Sequence, residues 1–145
     1  MAAQIELVWP RWKEKIRAAL LTDLNPELCR QFMGSLPLES IQSHAVVAGQ
    51  QIYFPCRFIP ATTQLNYEMM DQQPVGRINL EVDFQYLAIQ YGPSTEPVRA
   101  LPIAQVDEAD LDRLKQIGEK SWYNLLFSEE YIRVHVIEAG DQHGQ

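Results

Sequence analysis

Several short segments of the chain alternate apolar and polar residues, which is the period of half-buried β-strands. Residues 4–9 alternate in this way, and Pro10 ends the pattern. Residues 77–91 alternate in two phases, which predicts two strands joined by a tight turn or bulge. Residues 131–137 predict a last strand. Further strands are predicted from β-branched and aromatic content at 38–48, 51–58 and 103–106.

Two helices are predicted to begin at capping residues. Asn25 can cap a helix, and the Pro and Glu that follow it suit the first helical turn, so a helix is expected over 26–34. Asp107 is a natural cap for a second helix, which Gly118 is expected to end. A further short helix is predicted over 119–127.

Two segments are less clear from their pattern alone. Residues 11–22 are rich in helix formers, yet they could also return as a strand beside residues 4–9. Residues 60–75 hold prolines, threonines, glutamines and turn formers, which predicts a long loop. Long loops in compact domains are often functional.

These elements together predict a mostly β fold. Seven or eight short strands with two or three short helices are typical of a small closed, or nearly closed, β-barrel. The length of 145 residues fits one domain, which is expected over 1–140 with a flexible tail at 141–145.

The charge of the chain argues against one class of partner. Its formal net charge is -7, and an acidic protein repels phosphate backbones, so nucleic-acid binding is not expected. The one basic cluster, within residues 11–17, is expected to be an ordinary solvated face. Neither a secretory signal nor an apolar run of membrane-spanning length is recognisable, and two unpatterned cysteines suggest free thiols, so a cytoplasmic location is expected.

The titratable residues offer candidate chemistry without a complete motif. Glu68 lies in the long loop, where a carboxylate over a barrel mouth could act as a general base or simply be solvated. Cys56 could be a nucleophile if His44 were adjacent, although a buried inert cysteine is the simpler interpretation. No histidine spacing typical of a metal site occurs, so no metal is expected.

Five short segments occur in an order that resembles a bacterial family with a cyclophilin-like barrel. They are IELVWP, NPELCRQFMGSLPLES, SHAVVAGQQIYFP, PVGRINL and AIQYG. Over residues 4–137 the chain is similar, more closely, to the cyclophilin-like part of the cucumopine and mikimopine opine synthases. The resemblance implies that residues 13–21 form a strand against their local helix propensity.

The resemblance also implies a reaction. Opine synthases of this kind join L-histidine to 2-oxoglutarate, an amino acid to a 2-oxo acid, without a redox cofactor. The amine condenses with the oxo acid to an imine, and the imidazole carbon then closes a ring in a Pictet–Spengler reaction. That chemistry needs a base for the ring proton, an acid to activate the imine and cations that hold carboxylates.

The residues of this chain suggest candidates for each role. The catalytic candidates are Glu68, His44 and Tyr53, and the substrate-binding candidates are Arg57, Arg77 and Tyr91. Three of them, His44, Tyr53 and Tyr91, coincide with residues of the family's motifs. No cofactor is expected.

Other functions fit the same sequence. The signatures of prolyl isomerases have no counterpart here, so that activity is not expected. A binding module for a small metabolite, without turnover, is the alternative to an enzyme. A structural protein that forms a homo-oligomer is the third possibility. Both alternatives stay open because sharing a fold with an enzyme does not confer its reaction.

Overall fold

Nine strands of the chain form one antiparallel sheet in a computed structural model that describes residues 3–128 and 130–140. The predicted tail at 141–145 lies outside the described residues. The strands are β1 (Gln4–Trp9), β2 (Glu14–Leu20), β3 (Leu38–Ile41), β4 (Ser43–His44), β5 (Gln51–Pro55), β6 (Glu68–Met69), β7 (Arg77–Glu81), β8 (Tyr86–Gln90), β9 (Arg99–Ala100), β10 (Pro102–Val106) and β11 (Arg133–Glu138). The α-helices are α1 (Pro26–Gly34) and α2 (Leu111–Phe127), and short 3₁₀ turns occupy Pro10–Trp12, Met70–Gln72 and Glu108–Asp110.

The sheet curls into a nearly closed barrel. Its strand order is β3-β11-β1-β2-β10-β7-β8-β5-β4, so the two end strands are consecutive segments of the chain, separated by Gln42 alone. The Ser40 hydroxyl donates a hydrogen bond of 2.7 Å to the Pro55 carbonyl and ties β3 to β5 across the seam. The predicted small β-barrel is thereby confirmed. No helix among the described residues is long and apolar enough to cross a membrane.

The core fills the barrel from alternate strand positions. On β5 and β7, for example, the inward-facing residues are at most 1% exposed: Ile52, Phe54, Ile78 and Leu80. Helix α1 adds Phe32, which is also fully buried, to the same cluster. Period-two alternation thus assigns one face of each strand to the core and leaves the other face free for different chemistry.

Within residues 11–22, where the sequence left helix and strand open, the chain forms strand β2. It pairs antiparallel with β1, from Gln4 opposite Ala19 to Trp9 opposite Glu14. Its alternate residues face the core, and pairing on both sides of the strand outweighs the local helix propensity. The strand implied at 13–21 is confirmed with bounds of Glu14–Leu20.

Helix α2 differs from its prediction. Gly118 does not end the helix, which continues without interruption from Leu111 to Phe127. The glycine is there for packing, because a Cβ at this position would lie 2.4 Å from the ring of Tyr91. The helix predicted separately over 119–127 is the second half of α2.

Three other local predictions are corrected. The strand predicted over 38–48 is interrupted at Gln42, and the valines at 46 and 47 lie on an exposed turn instead. The loop predicted over 60–75 contains the short strand β6. Neither Asn25 nor Asp107 makes a side-chain cap, and Asn25 instead donates 3.0 Å hydrogen bonds to two distant backbone carbonyls.

Candidate functional site

The outer face of β5, β8 and β7 carries polar and aromatic side chains directly behind the core. The register places Tyr53 and Asn79 on either side of Ala88, and Glu81 beside Tyr86. Residues between them in sequence point into the barrel, so this composition is a property of the outer face alone. Ligand sites combine aromatic and apolar walls with a few placed polar groups, and this outer face has that composition.

A groove of about 510 Å³ lies on this face. Its floor includes Tyr53, Glu81 and Tyr86, and the exposed turn at 45–48 forms one wall. Three aromatic rings line it: those of Tyr53 and Tyr86 are 4.7 Å apart, and those of Phe84 and Tyr86 are 6.2 Å apart. Rings at such distances offer flat faces against which a planar ligand can stack.

Glu81 is the carboxyl group of the groove. Burial raises its pKa above the ordinary value for glutamate, and the nearby charge of Asp83 adds to the effect. No side-chain hydrogen bond to this carboxyl occurs within the described part of the chain, so its oxygens are available. A carboxyl whose pKa is shifted toward neutrality suits proton transfer. Glu81 is not among the residues predicted from the sequence, although its place at the end of an alternating strand marks it as outward-facing.

A two-stranded ribbon, β6 paired with β9, covers the neighbouring part of the same face. Glu68 and Arg77 join it to the barrel through a bidentate ion pair, with N–O distances of 2.8 and 2.7 Å. The hydrogen bond from Arg77 lowers the pKa of Glu68, as does a weaker one from Gln73, so this carboxyl is ionised and engaged. Two of the six predicted site residues therefore meet, as partners of each other.

Buried amides extend this anchor under the ribbon. Gln73 exchanges two 2.8 Å hydrogen bonds with Asn79, which is fully buried, and accepts a third from Gln90. Next to them, Gln51 donates to the sulfur of Met70 at 3.4 Å. Met70 lines the groove, so the polar network fixes one wall of the groove as well as the ribbon.

His44 and Tyr91, two more of the predicted site residues, form a second pair beneath α2. Nδ1 of His44 lies 2.6 Å from the Ala45 carbonyl, which only accepts, so Nδ1 carries the hydrogen. Nε2 then accepts the Tyr91 hydroxyl hydrogen at 2.5 Å. Burial lowers the pKa of His44, so the ring is neutral, and it packs on Trp122 with 4.9 Å between ring centroids.

The remaining candidates lie apart from these pairs. Arg57 is exposed just beyond β5, and none of the described carboxylates lies within 4.0 Å of it. Cys56 is buried, and burial raises its pKa, which opposes the thiolate that a nucleophile needs. Across residues 3–128 and 130–140, no three His, Cys, Asp or Glu side chains group as metal ligands would.

A second cavity, of about 840 Å³, lies on the other side of the same tyrosine pair, between the barrel seam and α2. Tyr53 and Tyr86 line both spaces. Amides and hydroxyls, Gln42 among them, supply most of its polar lining, and its carboxylate, Glu130, is held by Arg11 at 2.7 Å. The 510 Å³ groove is therefore the better candidate for acid–base chemistry, because an available carboxyl faces it.

The fold and the groove define a small antiparallel barrel with a ligand-sized site on its outer wall. No protein-family model matches the chain, and a search of the curated proteins finds no match either. Among solved structures, the chain is similar to McbB, whose structure was determined in complex with tryptophan, at 30% identity and a TM-score of 0.83. That match covers 94% of this chain and 45% of McbB, so the chain spans about half the length of McbB.

A second solved structure shares the fold over the full length of both proteins. It is the solution structure of the hypothetical protein AF2241 from Archaeoglobus fulgidus, with a TM-score of 0.55 and 13% identity, covering 95% of each chain. At that identity it supports the fold alone. McbB adds that a protein with a related fold binds an amino acid.

Proposed function

We propose that the groove binds a heteroaromatic amino acid, tryptophan or histidine, and that the protein condenses it with a 2-oxo acid in an opine-synthase-like, Pictet–Spengler-type reaction. The observation that carries this proposal is the available carboxyl of Glu81 beside the adjacent rings of Tyr53 and Tyr86. The similarity to McbB, determined with tryptophan bound, supports an amino acid as the ligand.

The reaction balances with the two substrates alone. The amine of the amino acid attacks the ketone carbon of the oxo acid, and loss of one water gives an iminium ion. A ring carbon of the amino acid then bonds to the iminium carbon, and the ring proton leaves to a base. No electrons are gained or lost, so the chemistry calls for no redox cofactor.

Glu81 is the group we assign to remove the ring proton. Its raised pKa makes this carboxylate a stronger base than an ordinary glutamate, and an aromatic ring stacked on Tyr86 would lie beside it. Glu68 remains the competing base, but it must first leave Arg77, which holds both of its oxygens.

His44 and Tyr91 are assigned a supporting role. The neutral imidazole accepts the Tyr91 hydroxyl hydrogen and does not line the groove, but His44 precedes the turn at 45–48 that forms its wall. The predicted substrate-binding roles of Arg57 and Arg77 remain predictions, to be tested beside the carboxylates.

The test is product formation from L-tryptophan or L-histidine with 2-oxoglutarate or pyruvate, followed by mass spectrometry. We expect a product whose mass is the sum of the two substrates minus one water. Glu81→Gln should lower its rate about 100-fold or more, the usual contribution of a general base. Glu138→Gln, an exposed carboxylate on β11, is the matched control and should leave the rate unchanged.

Two outcomes would redirect the assignment. If Glu68→Gln abolishes product while Glu81→Gln keeps it, the base lies on the ribbon. If no pair of substrates gives product although the amino acid binds, a non-catalytic metabolite-binding module is the better description. His44 is hydrogen-bonded to Tyr91, and Glu68 is ion-paired with Arg77. Because these groups are engaged with each other, their arrangement favours that second candidate function.

A further inference from the structure

A small cavity of about 170 Å³ adjoins the groove at the turn between β7 and β8. Glu81 lines both spaces, so the residue assigned to proton transfer is shared by the cavity and the groove. The cavity is large enough for a polar head group, and its charged lining suits one. The residues that line it are Tyr67, Leu80, Glu81, Val82, Asp83, Arg99 and Leu101.

Arg99 supplies the positive side of this cavity. Arg99 is exposed, and its guanidinium carbon lies 4.4 Å above the ring of Tyr67, a cation–π contact that orients the side chain. Within the described residues, no carboxylate lies within 4.0 Å of its nitrogens, unlike Arg77 on the neighbouring strand. An oriented guanidinium without an anionic partner matches the geometry of a carboxylate ligand, which it holds through two parallel hydrogen bonds.

Glu81 and Asp83 supply the negative side. The two acids lie close enough for Asp83 to raise the pKa of Glu81. A ligand with two carboxylates would be repelled by them, whereas an ammonium group would be attracted. The cavity therefore presents both signs of charge, which is the pattern complementary to the zwitterionic head of an α-amino acid.

We propose that this cavity binds the α-carboxylate of the substrate amino acid at Arg99 and its α-ammonium between Glu81 and Asp83, with the ring in the adjoining groove. This assignment rests on the proposed function. It also gives Glu81 an earlier task, since the ammonium must lose a proton before its nitrogen attacks the oxo acid. Glu81 accepts that proton, and the nitrogen lone pair is freed for the new bond to carbon. Glu81 then gives the proton to the hydroxyl that leaves as water, so it is a carboxylate again when the ring proton leaves.

The ribbon explains how Arg99 is held over the cavity. Arg99 lies on β9 directly opposite Met69 of β6. The Glu68–Arg77 ion pair fixes β6 to the barrel, so it is a positioning contact for the head-group site. Arg99 of the ribbon lines the head-group cavity, and Met70, the residue that follows β6, lines the adjoining groove.

Calorimetric titration with three related ligands tests the assignment. The ligands are L-tryptophan, tryptamine, which lacks the carboxylate, and indole-3-propionate, which lacks the ammonium. We expect Arg99→Met to weaken tryptophan binding roughly 10- to 100-fold and to leave tryptamine unchanged. Asp83→Asn should weaken tryptophan and tryptamine but not indole-3-propionate. Arg133→Met, an exposed arginine on β11, is the matched control.

The outcomes separate this assignment from the proposed function. If tryptophan binds and Tyr86→Ala blocks it, but Arg99→Met weakens tryptophan and tryptamine equally or not at all, the head-group site is overturned while the groove stands. If the wild-type protein binds no aromatic amino acid, the proposed function falls, and the head-group site falls with it. Circular dichroism of each variant shows that a lost affinity does not reflect unfolding.

Discussion

Replacing Gly118 by alanine is a stringent test of how α2 is packed on the barrel. A Cβ at this position would lie 2.4 Å from Cδ1 of Tyr91 and 2.5 Å from two further ring carbons. Those distances are well below van der Waals contact, so the ring must move. Tyr91 is 6% exposed and hydrogen-bonded to His44, which leaves it little room to do so.

The expected cost is the balance of three effects. Alanine in a helix interior is favoured over glycine by about 1 kcal/mol. Overpacking of a filled site costs about 1–3 kcal/mol. Displacing the Tyr91 hydroxyl from His44 costs about 1 kcal/mol more. The free energy of unfolding of Gly118→Ala should therefore fall by about 1–3 kcal/mol, although local propensity alone favours the change.

Chemical denaturation followed by circular dichroism measures this change. Gly34→Ala, at the end of α1, is the matched control, because nothing lies within 4 Å of its added Cβ. That variant should keep its stability or gain up to about 1 kcal/mol. In a Tyr91→Ala background the clash disappears, and Gly118→Ala should then stabilise the protein. A Gly118→Ala protein more stable than the wild type would refute the packing argument.

Three further outcomes are expected. The pKa of His44 is lowered in the folded state, so the unfolded chain binds more protons as the pH falls. The free energy of unfolding, measured by urea titration from pH 7 to 5, should therefore fall below pH 6.5. The fall should be smaller in His44→Gln. Arg77→Met should cost about 1–2 kcal/mol and speed hydrogen exchange in the ribbon, whereas unchanged exchange would contradict its anchoring role. Cys29, whose pKa is raised to about 11, should react with a thiol reagent only on unfolding, and rapid labelling of the native protein would show otherwise.

Local signals were sufficient for much of the fold. The change of phase within residues 77–91 located the β7–β8 hairpin, and Asn25-Pro26 located the start of α1. Gly118 misled because its role depends on Tyr91, which is distant in sequence and arrives from another strand. A glycine that admits a ring and a glycine that ends a helix look alike in sequence.

The site was harder to foresee for the same reason. Glu68 was predicted as a catalytic base and Arg77 as a substrate-binding residue, and only the fold shows that they contact each other. Glu81 was overlooked because its burial depends on the hairpin and ribbon that surround it, not on its neighbours in the chain. Alternation specifies which face a side chain takes, whereas its environment is a property of several elements at once.

On β5, β7 and β8, outward-facing residues line the groove and inward-facing residues form the core, and this separation has an evolutionary consequence. Tyr53 and Tyr86 lie on the outer wall, whereas the core depends on residues such as Phe54 and Leu87 that alternate with them. A substitution of either tyrosine therefore leaves no hole in the interior. Such a barrel can exchange one ligand for another through a few outward positions, while selection for a stable interior acts on a separate set of residues.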